Sequence, residues 1–318
     1  MIERVSTRDM SRQDWLKQRK KSIGGSDAGS VLGLNPFKSA YTLWAEKTGK
    51  IVPEDLSDKE AVRLGNDLEQ YVADRFMEAT EIPLRNDTFI WRNDKYPFAH
   101  ANIDRRVVGQ KAGFEAKTTS SFDVLKKCQA GEYPETWYAQ IMHYLMVTEF
   151  DVWYLGVLVL GHGFYWFKIE RNEAEIKALI YAEQEFWKHV TDDTPPAIDG
   201  SESTSETLRT LYKGEINDGT VDITAYEDEV EMYLSFKAQA EEAKKKAEEK
   251  ANILKEYMKD ARYGISDKYK IDWAYRRGRM TFDKDAYEAA YGPIPEEFYK
   301  LSAPTRAFSA KEIKKKNK

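Results

Sequence analysis

The stretch FAHANIDRRVVGQKAGFEAKT, residues 98–118, constrains the fold more than any other part of the chain. It reads as two β-rich segments, Phe98 to Val108 and Gly113 to Thr118, joined by a polar turn at Gly109-Gln110. Asp104 falls in the first segment and Glu115 in the second, so an antiparallel hairpin brings both carboxylates to one edge of a sheet. Side chains alternate along a strand, and Lys117 therefore leaves the same face as Glu115. A carboxylate between Phe114 and Ala116 is costly to bury unless it is paired or bound to a cation.

Around this stretch the sequence alternates between helical and strand-like periods. Residues 11–47 read as mostly helical, broken at Gly24-Gly25-Ser26-Asp27. Ser26 or Asp27 is placed to cap a short helix from Asp27 to Leu34, ended by Gly33 and Asn35-Pro36. Residues 59–80 repeat apolar side chains at Val62, Leu64, Leu68, Val72 and Phe76, a helical face with Glu69 beside it. Further strands are expected at Thr88 to Arg92, Val152 to Leu160 and Gly163 to Ile169, and helices at 136–148 and 173–190. This order predicts an α/β fold with a central mixed sheet flanked by helices.

The two prolines in TDDTPP mark the end of that core, giving a first domain of residues 1–195 and an extension of residues 196–318. Residues 225–260 read as a long helix whose narrow, Ala-rich seam suits packing against another helix. A hairpin follows, expected at Tyr269 to Arg276 and Arg279 to Asp283 with Arg276-Arg277-Gly278-Arg279 at its tip. The chain closes on the basic tail AKEIKKKNK.

Composition excludes several classes. The longest apolar run, Val152 to Leu160, is strand-length and cannot cross a bilayer, and the charged N-terminal residues do not resemble a signal peptide, so a cytoplasmic protein is expected. One cysteine, Cys128, rules out an internal disulfide and Cys-rich metal sites, and the four histidines lack zinc-enzyme spacing. A metal here would take oxygen ligands, which favours Mg²⁺ or Mn²⁺. The net charge of −5 disfavours nucleic-acid binding unless positive charge is confined to a groove.

Asp104, Glu115 and Lys117 suit phosphodiester hydrolysis, in which carboxylates hold divalent ions and a cation orients water or stabilises charge on phosphate. Glu-x-Lys also begins at Glu175, Glu242, Glu248 and Glu312, where a solvated surface explains it. At Glu115 the local pattern leaves two readings, a hydrolytic centre and a cross-strand ion pair. Likewise Glu69 is either a site residue or one of several helical glutamates, and Gln140 is either functional or a buried core glutamine.

The chain resembles the PD-(D/E)xK nuclease superfamily, and more closely the YqaJ-type phage recombinases related to lambda exonuclease. The matching residues run in order: Arg19, IGGSDAGSVLGLNPF, Trp44, Gly65 with Leu68-Glu69, Asn102-Ile103-Asp104, Phe114 to Lys117, and Gln140 to Tyr144. The resemblance implies a restriction-endonuclease-like core in which Asp104, Glu115, the Ala116 carbonyl and Glu69 hold the metal, with two Mg²⁺ or Mn²⁺ ions expected. It further implies that Lys117 stands beside the attacking water, that Gln140 is catalytic with Tyr144 at i+4 of the same helix, and that Arg19, Ser26 and Tyr144 bind DNA and its 5′-phosphate. A Gly-rich turn entering a helix suits an anion, although Ser26 as a plain helix cap fits the same pattern.

The implied activity is a 5′→3′ exonuclease acting on double-stranded DNA ends. Its 3′ overhangs would serve recombination with a RecT-type single-strand annealing protein, in a bacterial host or prophage setting. A homo-oligomer, in the form of a ring around DNA, is also implied. Two alternatives remain open: an endonuclease of the same fold, and a DNA-binding recombination module without catalysis. The extension has no counterpart in lambda exonuclease; Arg276, Arg277 and Arg279 are candidate DNA contacts, and a solvated surface explains them equally.

Overall fold

The structure is a computed structural model and describes residues 1–214, 219–300 and 308–311. The chain forms two compact units, Met1–Lys213 and Gly214–Lys318. The first unit contains, in order, β1 (Ile2–Ser6), α1 (Arg12–Lys20), β2 (Ile23–Gly24), α2 (Gly25–Val31), α3 (Ala40–Thr48) and α4 (Glu60–Thr80). Next come β3 (Leu84–Asn86), β4 (Phe89–Asn93), β5 (Ala99–Asn102), β6 (Arg105–Val107), β7 (Ala112–Thr119), α5 (Phe122–Gln129) and α6 (Glu135–Thr148). The unit ends with β8 (Val152–Val159), β9 (Gly163–Glu170), α7 (Glu173–Thr191) and α8 (Glu202–Leu211). Its strands make a five-stranded sheet, β3-β6-β7-β8-β9, and a four-stranded sheet, β1-β4-β5-β2.

The larger sheet is mixed: β7 and β8 are parallel, and β6 and β9 run antiparallel to them. Alternation along β8 explains its two faces. Trp153, Leu155 and Val157 belong to the main core shared with Ile141, Leu145 and Met146 of α6. Tyr154 joins Phe114, Val72 and Phe76 in a second core under α4, where the Phe76 and Phe114 rings lie 4.9 Å apart. Only the C-terminal half of the α4 face is buried, at Val72, Ala73 and Phe76. Gly113 is required by packing, because a Cβ there would stand 2.4 Å from the Trp153 ring.

The expected strand from Phe98 to Val108 is two strands in two sheets. β5 belongs to the smaller sheet and β6 to the larger, and Ile103-Asp104 is the crossing between them. Pairing of β6 with β7 runs through Arg105 opposite Phe114 and Arg106 opposite Gly113. Beyond it the Ala116 N–H donates to the Asp104 carboxylate at 3.0 Å instead of to a strand carbonyl. A side-chain acceptor has replaced a ladder bond, which is what breaks the strand.

Other expectations shift for local reasons. Helix α2 begins at Gly25, so Ser26 and Asp27 lie within its first turn and do not act as its N-cap; Asp27 instead accepts the Gly24 N–H at 3.0 Å. The first unit extends past residue 195 because α8 is tied to α3 by hydroxyl groups. Thr42 Oγ1 lies 2.8 Å from Thr207 Oγ1, and Thr204 Oγ1 donates to Ser39 Oγ at 2.8 Å.

The second unit contains α9 (Glu227–Met258), β10 (Tyr263–Ile265), β11 (Lys270–Asp272) and α10 (Lys284–Tyr291). No residue of α9 is buried, so the seam expected to pack on another helix is not closed in the single chain. The hairpin lies earlier than expected: Tyr263 pairs with Asp272 and Ile265 with Lys270. Ser266 closes its turn, accepting the Tyr269 N–H on its hydroxyl at 3.0 Å. Arg276, Arg277 and Arg279 follow the hairpin in backbone without regular structure. The tail from residue 312 lies outside the described residues. Among the described residues no helix is long and apolar enough to cross a membrane.

Candidate active site

Strand β7 delivers Glu115 and Lys117 to the face covered by α6. Glu115 is buried, and its Oε1 accepts from Lys117 Nζ at 2.7 Å and from Gln140 Nε2 at 2.7 Å. Lys117 also donates to Gln140 Oε1 at 3.0 Å, and Gln140 Nε2 donates to Tyr144 Oη at 2.7 Å. Gln140 and Tyr144 meet because residues four apart share a helix face. The second Glu115 oxygen, Oε2, is buried without a hydrogen-bond partner. An orphaned carboxylate oxygen is expensive, and in a native site it asks for a ligand.

Asp104 approaches from the crossing between the sheets. Burial pushes the Glu115 carboxyl up to about 8, and the nearby Asp104 charge adds to the effect against the opposition of Lys117. Burial also raises Asp104, opposed by the Ala116 N–H, Lys117 and Arg105. Two buried carboxyls in one electrostatic environment favour retention of a proton until a cation arrives.

Glu69 lies close enough for its carboxyl to be raised by burial and then by Asp104, with Arg105 opposing. Its direct partner is Arg105, whose Nη2 is 3.0 Å from Glu69 Oε1. The buried Arg105 also donates to Gln70 Oε1 at 3.2 Å and to Asn86. Thus Glu69 is engaged by a cation, and among the described residues no group of three or more His, Cys, Asp or Glu is arranged to hold a metal. The Asp104 and Glu115 pair still fits a hard divalent ion, which commonly uses one or two carboxylates and retains waters. The unpartnered Glu115 oxygen is the observation behind that fit.

Arg19 and Ser26 form a second group, with Arg19 Nη2 donating to Ser26 Oγ at 2.9 Å and its guanidinium 4.6 Å from the Trp15 ring centre. Asp27 does not oppose them as a free charge. Its Oδ2 is 2.7 Å from Lys47 Nζ, and although burial resists ionisation, Lys47, the Gly24 N–H and Arg19 hold its carboxyl at about 2. Lys47 further donates to the carbonyls of Ser22 at 2.8 Å and Arg19 at 3.0 Å. The two groups meet through Tyr144: a Cβ on Gly25 would stand 2.4 Å from its ring.

A family model described as the YqaJ-like viral recombinase domain matches residues 14–151. The uncharacterized protein YqaJ of Bacillus subtilis (strain 168) is 40% identical over 312 residues, covering 96% of each chain. The chain belongs to the YqaJ family. Among solved structures, the alkaline exonuclease of Laribacter hongkongensis aligns with a TM-score of 0.49 at 16% identity, over 57% of this chain and 94% of that one. A phage-related exonuclease from Haemophilus somnus 129PT aligns with a TM-score of 0.42 at 13% identity, over 54% of this chain and 96% of that one.

In this YqaJ family member the structure gathers Asp104, Glu115, Lys117, Gln140 and Tyr144, with Glu69 at their edge and Arg19 and Ser26 in contact through Gly25. Arg276, Arg277 and Arg279 belong to the second unit and are described with it. Sequence reading missed Arg105 and Lys47, since an isolated cation in a chain with 49 lysines and arginines carries no periodic signal. It also missed the fully buried pair of His143 and Glu183, 2.7 Å apart, which joins α6 to α7.

Proposed function

We propose that this chain is a metal-dependent 5′→3′ exonuclease that degrades one strand of a DNA duplex and leaves a 3′ overhang for a single-strand annealing protein. The observation that carries the reading is Glu115. It is buried beside Asp104, has one oxygen held by Lys117 and Gln140, and leaves the other unpartnered. Asp104 and Glu115, with the Ala116 carbonyl, would hold Mg²⁺, which when bound supplies Lewis-acid activation of water and charge neutralisation at the phosphate.

The remaining chemistry rests on the side chains themselves. Lys117 carries its positive charge to the mouth of the carboxylate pair, where it orients the incoming water and stabilises negative charge on phosphate. Gln140 fixes Lys117 and Glu115 through both ends of its amide, so their relative positions are set before substrate arrives. Tyr144 anchors the Gln140 amide nitrogen. Arg19 and Ser26 offer a cation and a hydroxyl to a terminal phosphate, with Asp27 neutralised by Lys47.

A linear duplex labelled in turn at each 5′ and 3′ end tests the reading. Early loss of the 5′ label with retention of the 3′ label is expected, and intact supercoiled circular DNA separates an end-dependent enzyme from an endonuclease. Wild-type protein should digest 5′-phosphorylated duplex faster than 5′-hydroxyl duplex, and Arg19→Ala should remove the difference. Equal wild-type rates would assign Arg19 and Ser26 a structural role alone.

A pH prediction follows from the raised carboxyls. In the metal-free protein the native state keeps protons that the unfolded chain releases, so Glu115 makes stability fall as pH rises from about 4.5 to about 8. Urea midpoints measured across pH 5–8 should show a shallower fall in Glu115→Gln than in wild type. Parallel curves would mean that Glu115 titrates normally in the folded chain.

A further inference from the structure

We infer that the segment from Arg262 to Phe282 in the second unit is a binding surface for single-stranded DNA. Within it stand six cations, Arg262, Lys268, Lys270, Arg276, Arg277 and Arg279, against two carboxylates, Asp267 and Asp272, in a chain whose net charge is −5. Asp272 is already neutralised by Arg262, with Arg262 Nε 2.9 Å from Asp272 Oδ1. Lys268, Arg276, Arg277 and Arg279 make no ion pair among the described residues. The local field is therefore that of a polyanion site, although the whole chain is acidic.

Cations alone would fit any nucleic acid backbone; the aromatic rings narrow the choice. Tyr269 is 75% exposed, Trp273 42% and Tyr275 97%, and Met280 of the same segment lies fully in solvent. None of these three rings stacks on another ring among the described residues. Tyr263, 47% exposed, already carries two of the cations, with Arg262 Cζ 4.8 Å and Lys270 Nζ 4.9 Å from its ring centre. The second unit does not need Tyr269 and Tyr275 for its own packing, since they bury little surface.

Flat rings separated by cations complement a strand whose phosphates and base faces are both accessible. A duplex satisfies the cations but hides its base faces inside the stack, so it leaves the rings unused. The hairpin places Tyr269 and Trp273 at the two ends of β11, and the backbone after Trp273 has no regular structure, which lets Tyr275 follow the bound strand. Binding of this kind is independent of hydrolysis and goes beyond the nuclease reading.

The test uses the full-length chain carrying Glu115→Gln, so that hydrolysis does not consume the probe. Fluorescence anisotropy would compare a 5′-hydroxyl dT20 oligonucleotide, an abasic oligomer of the same length and a duplex of the same length. We expect dT20 to bind at least about tenfold tighter than the abasic oligomer. The variant Tyr269→Ala/Trp273→Ala/Tyr275→Ala should lose that discrimination with its net charge unchanged. Photo-crosslinking of an iodouracil-containing strand should map to residues 262–282. Retained discrimination in the variant, or crosslinks elsewhere only, overturns the inference. So does a change of oligomeric state in the variant by light scattering, which would assign the rings to a protein interface. Binding without nuclease activity in the unmutated chain would sink the nuclease reading and leave this one standing.

Discussion

Lys117→Ala should slow duplex digestion by about 10²–10³-fold, the loss typical of removing one preorganised group that stabilises charge in a transition state. The side chain is 22% exposed and lies at the mouth of the site, so its removal opens no core cavity. Folding should survive, as judged by a urea unfolding free energy unchanged to within about 1 kcal/mol. Glu115 loses its nearest cation in this variant, and its proton becomes harder to remove. The defect should therefore be larger at pH 7 than at pH 9. Single-turnover rates on labelled duplex at both values measure it, and robust activity in Lys117→Ala would sink the assignment of β7 as the catalytic strand.

Glu183→Ala should destabilise the first unit by about 3–5 kcal/mol, the usual result of leaving one member of a buried ion pair alone. His143 and Glu183 are both fully buried. His143 Nε2 faces the His100 carbonyl at 2.8 Å, an acceptor only, so that nitrogen carries a proton. Its Nδ1 faces the Glu183 carboxylate at 2.7 Å. Burial lowers the pKa of the imidazole, but Glu183, the His100 carbonyl and Asp27 together outweigh it and the net shift is upward. The pair's contribution is thus complete below about pH 6.5 and is lost as pH rises through the raised value. The double variant His143→Phe/Glu183→Leu removes both polar partners and should cost less than Glu183→Ala alone. Denaturant unfolding would measure both, and a cost under about 1 kcal/mol for Glu183→Ala would show that the pair is not worth its burial.

The parts of the fold that were legible in sequence are those whose own residues satisfy their hydrogen bonds or repeat at a fixed period. Helices α4, α6 and α7 and strands β8 and β9 follow directly from apolar spacing. The break at Ile103-Asp104 was not legible, since alternation passes through it undisturbed and only a contact twelve residues away, Asp104 with Ala116, interrupts the strand. Helix α8 was missed as part of the core because it is attached through Thr204 and Thr207, residues that read as polar linker. The hairpin was misplaced because Gly278 is a stronger turn signal than Ser266, whereas the hydroxyl of Ser266 closes the actual turn.

Within the site, the i and i+4 relation of Gln140 to Tyr144 and the alternation of Glu115 with Lys117 were readable in advance. The engagement of Glu69 by Arg105 was not, because it depends on where α4 crosses β6. The same limit applies to Asp27 and Lys47, whose 2.7 Å pairing joins α2 to α3.

The close approach of Gly25 to Tyr144 has a consequence for product size. Gly25 adjoins Ser26, Tyr144 receives the Gln140 amide, and Gln140 receives and gives hydrogen bonds at Glu115 and Lys117. No flexible loop intervenes between the group that would hold a strand terminus and the group that would cut. The interval between them is then a fixed ruler, and digestion in the proposed direction should release fragments of one uniform length. Enlarging Gly25 would change the ruler itself, and a gel ladder of the products would display the altered step.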